Sequence, residues 1–374
     1  MAIHDPLTLT VDQRALRDTL HGFLADRLPP EALRAMLETE AGYSPDLHAR
    51  LAGGLGLAGL TVPREFGGLG LSAAEASVVH TELGYALYPG PYLSSCLAAS
   101  VVTTAGDRDA RDRWLPRLAD GSVTGTVAVA GKDGLWSPAT GGTRAHLTPH
   151  GWRLYGRCWY VIAAHAAGIV VVSAMAGSAP AMFAVEAGAP GLKVSGLPGM
   201  DLTRRISTVT FDATPAVLLG QGEAATAALD RAERDFLLAI AAEAVGGIGW
   251  CLDAAFAYAR DREQPGRPPG SFEAVARACV DMLASFQSAS SAARYAAVAD
   301  ADGAAEAPTA ARVAVLQAGQ AYRAVAESAI HLFGGIGVTR EHDAHLYYRR
   351  AWSAERLTGG PQAHRAALAD LEGL

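Results

Sequence analysis

The stretch HLFGGIGVTREHDAHLYYRRA, residues 331–351, decides how the rest of the chain is read. It closes a long striped segment in which Val315, Ala318, Tyr322, Val325, Ala329 and Leu332 recur at helical spacing, predicting a helix from about Thr309 to Phe333. Gly334 and Gly335 stand where glycine caps a helix, because a residue without Cβ reaches left-handed backbone at little cost. A further helix is predicted to begin near His342. Open backbone amides beside a helix start suit an anion. The turn follows no strand, so it is not a Rossmann dinucleotide fingerprint.

Outward from this turn, helical patterning holds from about Glu223. Leu237, Ile240, Ala244, Ile248, Leu252, Ala255 and Ala259 form one stripe, and a second long helix is predicted from Ser271 to about Ala299. The abundant alanine of this region points to closely packed helices. Upstream, the runs Val123–Val129, Trp152–Tyr155, Trp159–Ile162, Ile169–Ser173, Met182–Val185 and Ser207–Phe211 predict short strands. Ile169–Val172 is continuous rather than alternating, as in a strand covered on both faces. Earlier still, Leu16, Leu20, Phe23 and Leu24 predict a helix ended by Pro29 and Pro30. Pro63 and its neighbouring glycines make Leu57–Gly70 a loop, and Ser72–Ala86 reads as helix. The expected fold class is α+β, with an N-terminal helical domain (1–120), a central β-domain (121–222) and a C-terminal helical domain (223–374).

Half of the 374 residues are apolar, enough for a large core. With 31 basic against 38 acidic residues the net charge is −7, which argues against a nucleic-acid binder. Cys96, Cys158, Cys251 and Cys279 form no CxxC pair and read as reduced core thiols of a cytoplasmic protein. The first residues lack a cationic flank followed by an apolar run, so no signal peptide is expected. No run of roughly 20 uncharged apolar residues appears, so no membrane span is expected either.

The connection RDREQPGRPPG, residues 260–270, has two readings. It is a solvated turn between helices, or it sets Arg262 and Gln264 at a helix end where an arginine fork grips a phosphate. Four blocks together carry a resemblance: residues 334–351, YARDREQPGRPPGSFEAVARACVDM (258–282), GLAGLTVPREFGGLGLS (56–72) and MDLTRRISTVTFD (200–212). In this order they resemble the acyl-CoA dehydrogenase family. The resemblance implies an N-terminal helical domain, a central β-domain and a C-terminal four-helix bundle, with FAD bound where they meet. It implies an acyl-CoA or other acyl thioester as substrate and an electron-transfer acceptor. It also implies assembly as a homo-oligomer or as a heterotetramer with a homologous subunit. Arg262, Gln264 and Gly266 would contact the pyrophosphate or adenine end of FAD, and His331, Gly334, Gly335 and Gly337 would line the same tail.

The chain also departs from that family. Phenylalanine is usual where Pro265 stands, and glutamine where His331 stands. The flavin-ring loop is replaced by AVAGKDGLWSP (128–138), and the next flavin-facing strand offers Tyr160, able to stack on the ring, and Ile162, unable to donate to it. Abstraction of an α-proton needs a carboxylate. The family's two places for it hold Thr358 and Phe236 here. Asp235 and Glu243 are the nearest candidates, against plain readings as a first-turn acid and a paired bundle residue. His342 and His345 are three apart, but the resemblance covers them without a metal. Glu341 with Arg349 and Arg350 reads as an ion-pair set, and Asp201–Arg205 as a solvated strand edge. Three roles remain open: a self-sufficient dehydrogenase, a base-less partner subunit completing a shared FAD site, and a related scaffold acting on a carrier-bound acyl group.

Overall fold

The computed structural model describes residues 8–136, 142–261, 273–339 and 341–373. Helices come first: α1 (Val11–Arg27), α2 (Pro30–Leu37), α3 (Pro45–Ala49), α4 (Ala73–Tyr85), α5 (Tyr92–Ala105) and α6 (Arg108–Ala119). Thr10 and Gln13 start α1 with a reciprocal capping box, each side chain bonding the other's backbone N–H. Strands follow: β1 (Gly125–Ala128), β2 (Arg144–Thr148), β3 (Gly151–Ile162), β4 (Ile169–Ala176), β5 (Ala179–Glu186), β6 (Leu192–Gly196) and β7 (Ile206–Gln221). Helices return with α7 (Glu223–Asp261), α8 (Glu273–Ala301), α9 (Ala307–Phe333), α10 (Ala344–Leu357) and α11 (Gly360–Leu371). The order of helices, strands and helices is the α+β arrangement expected.

Contacts divide the chain into two compact units. One contains residues 35–72 and 89–236. Its sheet runs β1-β4-β2-β3-β7-β5, and β5 pairs back onto β4, so β4, β2, β3, β7 and β5 close into a ring. Leu154, Cys158, Val172, Phe183, Val209 and Phe211 fill its core. β4 is buried along nearly its whole length, as its unbroken apolar run predicts. Two predicted strands prove to be one, β3, whose register slips between Leu154 and Gly156 and again between Cys158 and Val161. Tyr160 lies in the second bulge with a left-handed φ of 53°, a strained setting for a non-glycine residue. The Asp201–Arg205 stretch is not a solvated edge. Asp201, Thr203 and Arg204 are buried, and Asp201 Oδ1 accepts from both the N–H and the hydroxyl of Thr203.

The other unit contains α1, α4 and the chain from Leu237 onward. Close helix packing here is enforced by glycine. A Cβ on Gly84 would lie 2.1 Å from Glu243 O, and one on Gly246 would lie 1.9 Å from Thr81 O, so α4 and α7 cross backbone to backbone. A Cβ on Gly247 would strike the Tyr322 ring of α9 at 2.3 Å. α7 is long and apolar enough to cross a bilayer by length and composition, with 83% of its most apolar window buried inside the protein. A buried core helix meets that description as well as a membrane span does.

Candidate active site

Within the sheet-bearing unit, α5, the loop after β1 and the first half of α7 supply two groups of side chains, Trp136 with Phe236 and Asp235 with Ser100 and Arg231. Phe236, at the family's usual base position, is 2% exposed, and the Trp136 indole stacks on it with centroids 5.1 Å apart and planes 9° apart. Such a stacked pair is well packed and presents no proton acceptor. Asp235 points to other partners. Its Oδ1 accepts from Arg231 Nη2 at 2.5 Å, one helical turn back, and its Oδ2 from the Ser100 hydroxyl at 2.5 Å. Both contacts favour the ionised carboxylate and occupy its oxygens. Burial pushes the nearby Cys96 thiol up to about 12, with the Asp235 charge adding to the effect, so it is not a nucleophile at neutral pH. Asp235 is also no first-turn acid, since α7 begins at Glu223.

Glu243 sits in the helical unit and is a different kind of residue. Its Oε2 accepts from Arg350 Nη1 at 3.0 Å, and its Oε1 lies 3.6 Å from His80 Nδ1. Glu243, Arg350 and His80 are all buried. Arg350 is therefore committed to Glu243, not to Glu341 as the sequence suggests. Eight residues separate Asp235 from Glu243, about 12 Å along a helix axis, so the two candidates share no site. Thr358, the other family base position, caps the end of α10 and donates its hydroxyl to Glu355 O.

The flavin-ring region is partly taken by the chain itself. The Tyr160 hydroxyl donates to Lys132 O at 3.3 Å, and a Cβ on Gly134 would lie 3.9 Å from the Tyr160 ring. The loop is tied by Gly131 N–H to Leu135 O, and Ala130 bridges Trp136. Ile162 offers only its carbonyl, which accepts from the Thr126 hydroxyl. Tyr160 is held through its hydroxyl by its own loop while 37% of its surface stays exposed, and no side-chain donor stands at Ile162.

The nucleotide-end residues fit better. Gly334 adopts φ 62° and ψ −137°, a conformation open essentially to glycine alone. A Cβ on Gly334 or Gly335 would meet nothing within 4 Å, so this backbone face is free for close approach by a ligand. Gly337 differs: it is buried, and its Cβ would press on Ile330 O at 2.9 Å, a packing role. His331 is exposed, with Nδ1 2.9 Å from Glu327 O. Arg262, Gln264 and Gly266 lie outside the described residues. His342 and His345 are occupied locally, His342 Nδ1 accepting from Ala344 N–H and His345 Nδ1 lying 2.7 Å from His342 O. Sequence reasoning missed Trp136, Ser100, Arg231 and His80 as site neighbours. Only the Arg231–Asp235 pair carried a usable signal, the i,i+4 spacing.

Residues 10–122 match the acyl-CoA dehydrogenase N-terminal domain and residues 233–371 the acyl-CoA dehydrogenase C-terminal domain. The acyl-CoA dehydrogenase IpdE2 of Mycolicibacterium smegmatis is 33% identical over 95% of this chain and 96% of its own length. Among solved structures, the Tcur3481-Tcur3483 steroid acyl-CoA dehydrogenase G363A variant superposes with a TM-score of 0.86 at 30% identity, covering 97% of this chain and 98% of that one. The ChsE4-ChsE5 complex from Mycobacterium tuberculosis does so at 0.88 and 26%, covering 97% and 98%. With its helix–strand–helix order, its glycine turn after α9 and matches at both ends, this chain belongs to the acyl-CoA dehydrogenase family.

Proposed function

We propose that this chain is the base-less subunit of a heteromeric acyl-CoA dehydrogenase. It lends Arg262, Gln264, Gly266 and the Gly334–Gly335 face to the nucleotide end of a FAD, while a homologous subunit carries the carboxylate that takes the α-proton of an acyl thioester. The observation that carries this reading is the stacked Trp136–Phe236 pair at the family's base position, with Asp235 and Glu243 already engaged. A FAD held there would supply the acceptor for the β-hydrogen, taken as hydride, and the route for its electrons to an electron-transfer acceptor. The part of this chain is to position and exclude water: the apolar pair keeps a dry wall where the family usually has an acid. The two-component names of the structural relatives support a heteromeric assembly, and the steroid acyl-CoA dehydrogenase among them supports a bulky, ring-bearing acyl group. The four free cysteines fit a reducing, cytoplasmic setting.

A second reading keeps one observation in its favour: Asp235 lies next to Phe236 in sequence and would act as base if released from Arg231 and Ser100. The visible spectrum separates the two. The chain purified alone should be colourless and should gain stoichiometric yellow flavin only when co-expressed with its partner. A yellow protein made alone and bleached by an acyl-CoA overturns the proposal.

A further inference from the structure

We propose that a cavity of about 500 Å³ between α1, α4, α7 and α8 is a binding site for an uncharged, flat, mainly apolar molecule with hydroxyl or carbonyl groups at one end. The cavity lies wholly within the helical unit. None of its lining residues belongs to the Trp136–Phe236 site or to the Gly334 turn, so the inference stands whichever subunit supplies the base.

Its shape follows from the sequence of α7. Gly246 lets α4 approach so closely that no side chain fits between them, while Gly249, one turn on, leaves a slot instead. A Cβ on Gly249 would sit 3.6 Å from both the Phe286 and the Tyr85 rings. The two aromatic walls therefore stand apart across a glycine floor, at a spacing suited to a planar ring. His21 extends the wall, its ring 5.3 Å from that of Tyr85, and Val78 and Leu252 add apolar surface. A volume of this size falls within the range that holds small organic ligands.

The electrostatics select against charge. Each ionised group around the cavity already has a partner. Arg17 binds Asp18, Glu82 binds His21, and Asp253 accepts from the Tyr85 hydroxyl. Arg294 donates to Gln13 and to Ala74 O. Without a hydrogen-bond partner, among the described residues, are the hydroxyls of Ser77, Ser290 and Ser291, the Gln287 amide and one buried nitrogen of Arg294, Nε. An anionic ligand such as a coenzyme A tail would meet the carboxylates Glu82 and Asp253 and two guanidiniums already bonded, Arg17 to Asp18 and Arg294 to Gln13 and Ala74 O, whereas a hydroxyl or carbonyl would find both donors and acceptors.

The test uses the uncharged naphthalene ketone dye Prodan, titrated into the full-length chain and followed by its emission. Saturable, blue-shifted binding at one site is expected, undisturbed by excess octanoyl-CoA. Gly249→Leu, which fills the slot, should weaken binding tenfold or more, with far-UV circular dichroism confirming the fold. Ser291→Trp, placed at the exposed mouth, should do the same without touching the core, and it decides the matter if Gly249→Leu does not fold. Absence of saturable binding, displacement by octanoyl-CoA, or unchanged affinity in a folded variant would overturn the proposal.

Discussion

Glu243 and Arg350 show how burial decides the worth of a single ion pair. At 3.0 Å, with both groups shielded from solvent, each charge depends on the other for the solvation that water would give. Glu243→Gln keeps the shape but leaves Arg350 buried without a counter-charge. We expect a loss of about 3–5 kcal/mol, read as a lower urea midpoint with an unchanged slope. The double variant Glu243→Gln/Arg350→Met should recover part of it, because the stranded charge is gone. A loss under about 1 kcal/mol in the single variant would show that water reaches the pair. Glu243 was visible in the sequence as an acid on the right helix. Its commitment to Arg350 was not, because 107 residues separate the partners and only the folded bundle joins them.

At the scale of elements, the crossing of α4 and α7 is set by two glycines. Alanine in place of glycine inside a helix ordinarily stabilises it by about 1 kcal/mol. At Gly84 and Gly246 that gain is outweighed, since the added Cβ would lie 2.1 Å or less from a backbone oxygen, a clash at the upper end of the roughly 1–3 kcal/mol that overpacking costs. Gly84→Ala and Gly246→Ala should each lower the thermal midpoint, whereas Gly249→Ala, with its nearest neighbours at 3.6 Å, should hold or raise it. Equal midpoints for all three would disprove the close crossing. The long helices were legible because their stripes repeat over many turns. β2 and β6 were not: RAHLT and LKVSG are half polar, and pairing with β3 and β7 rather than intrinsic propensity makes them strands. β3 was split because its bulges at Gly156 and Trp159–Tyr160 interrupt the alternation that marks a strand.

For the whole molecule, both units contain a histidine held neutral by burial. His48 in the sheet-bearing unit and His364 in the helical unit are each pushed down to about 4 by desolvation. The unfolded chain protonates histidine near pH 6.5, so between about 4 and 6.5 it binds more protons than the native state. Stability must fall as pH drops through that window, and the penalty is complete below it. Both ring nitrogens of His364 are buried without a partner, so His364→Phe should flatten the slope and raise the midpoint below pH 6. An unchanged slope would mean that His364 titrates freely in the native state. The family assignment was legible from four motif blocks spread along the chain, and the empty base position from Phe236 and Thr358. Closure of that position by Trp136 was not, since a tryptophan in a glycine-rich loop carries no signal of where its ring will lodge. The most direct measurement is the rate of anaerobic flavin bleaching by an acyl-CoA in the co-expressed complex in which this chain carries Asp235→Asn. An unchanged rate is predicted, because the base belongs to the partner. A fall of about 10²-fold or more, the size expected for loss of a general base, would contradict the account and place the catalytic carboxylate on this chain.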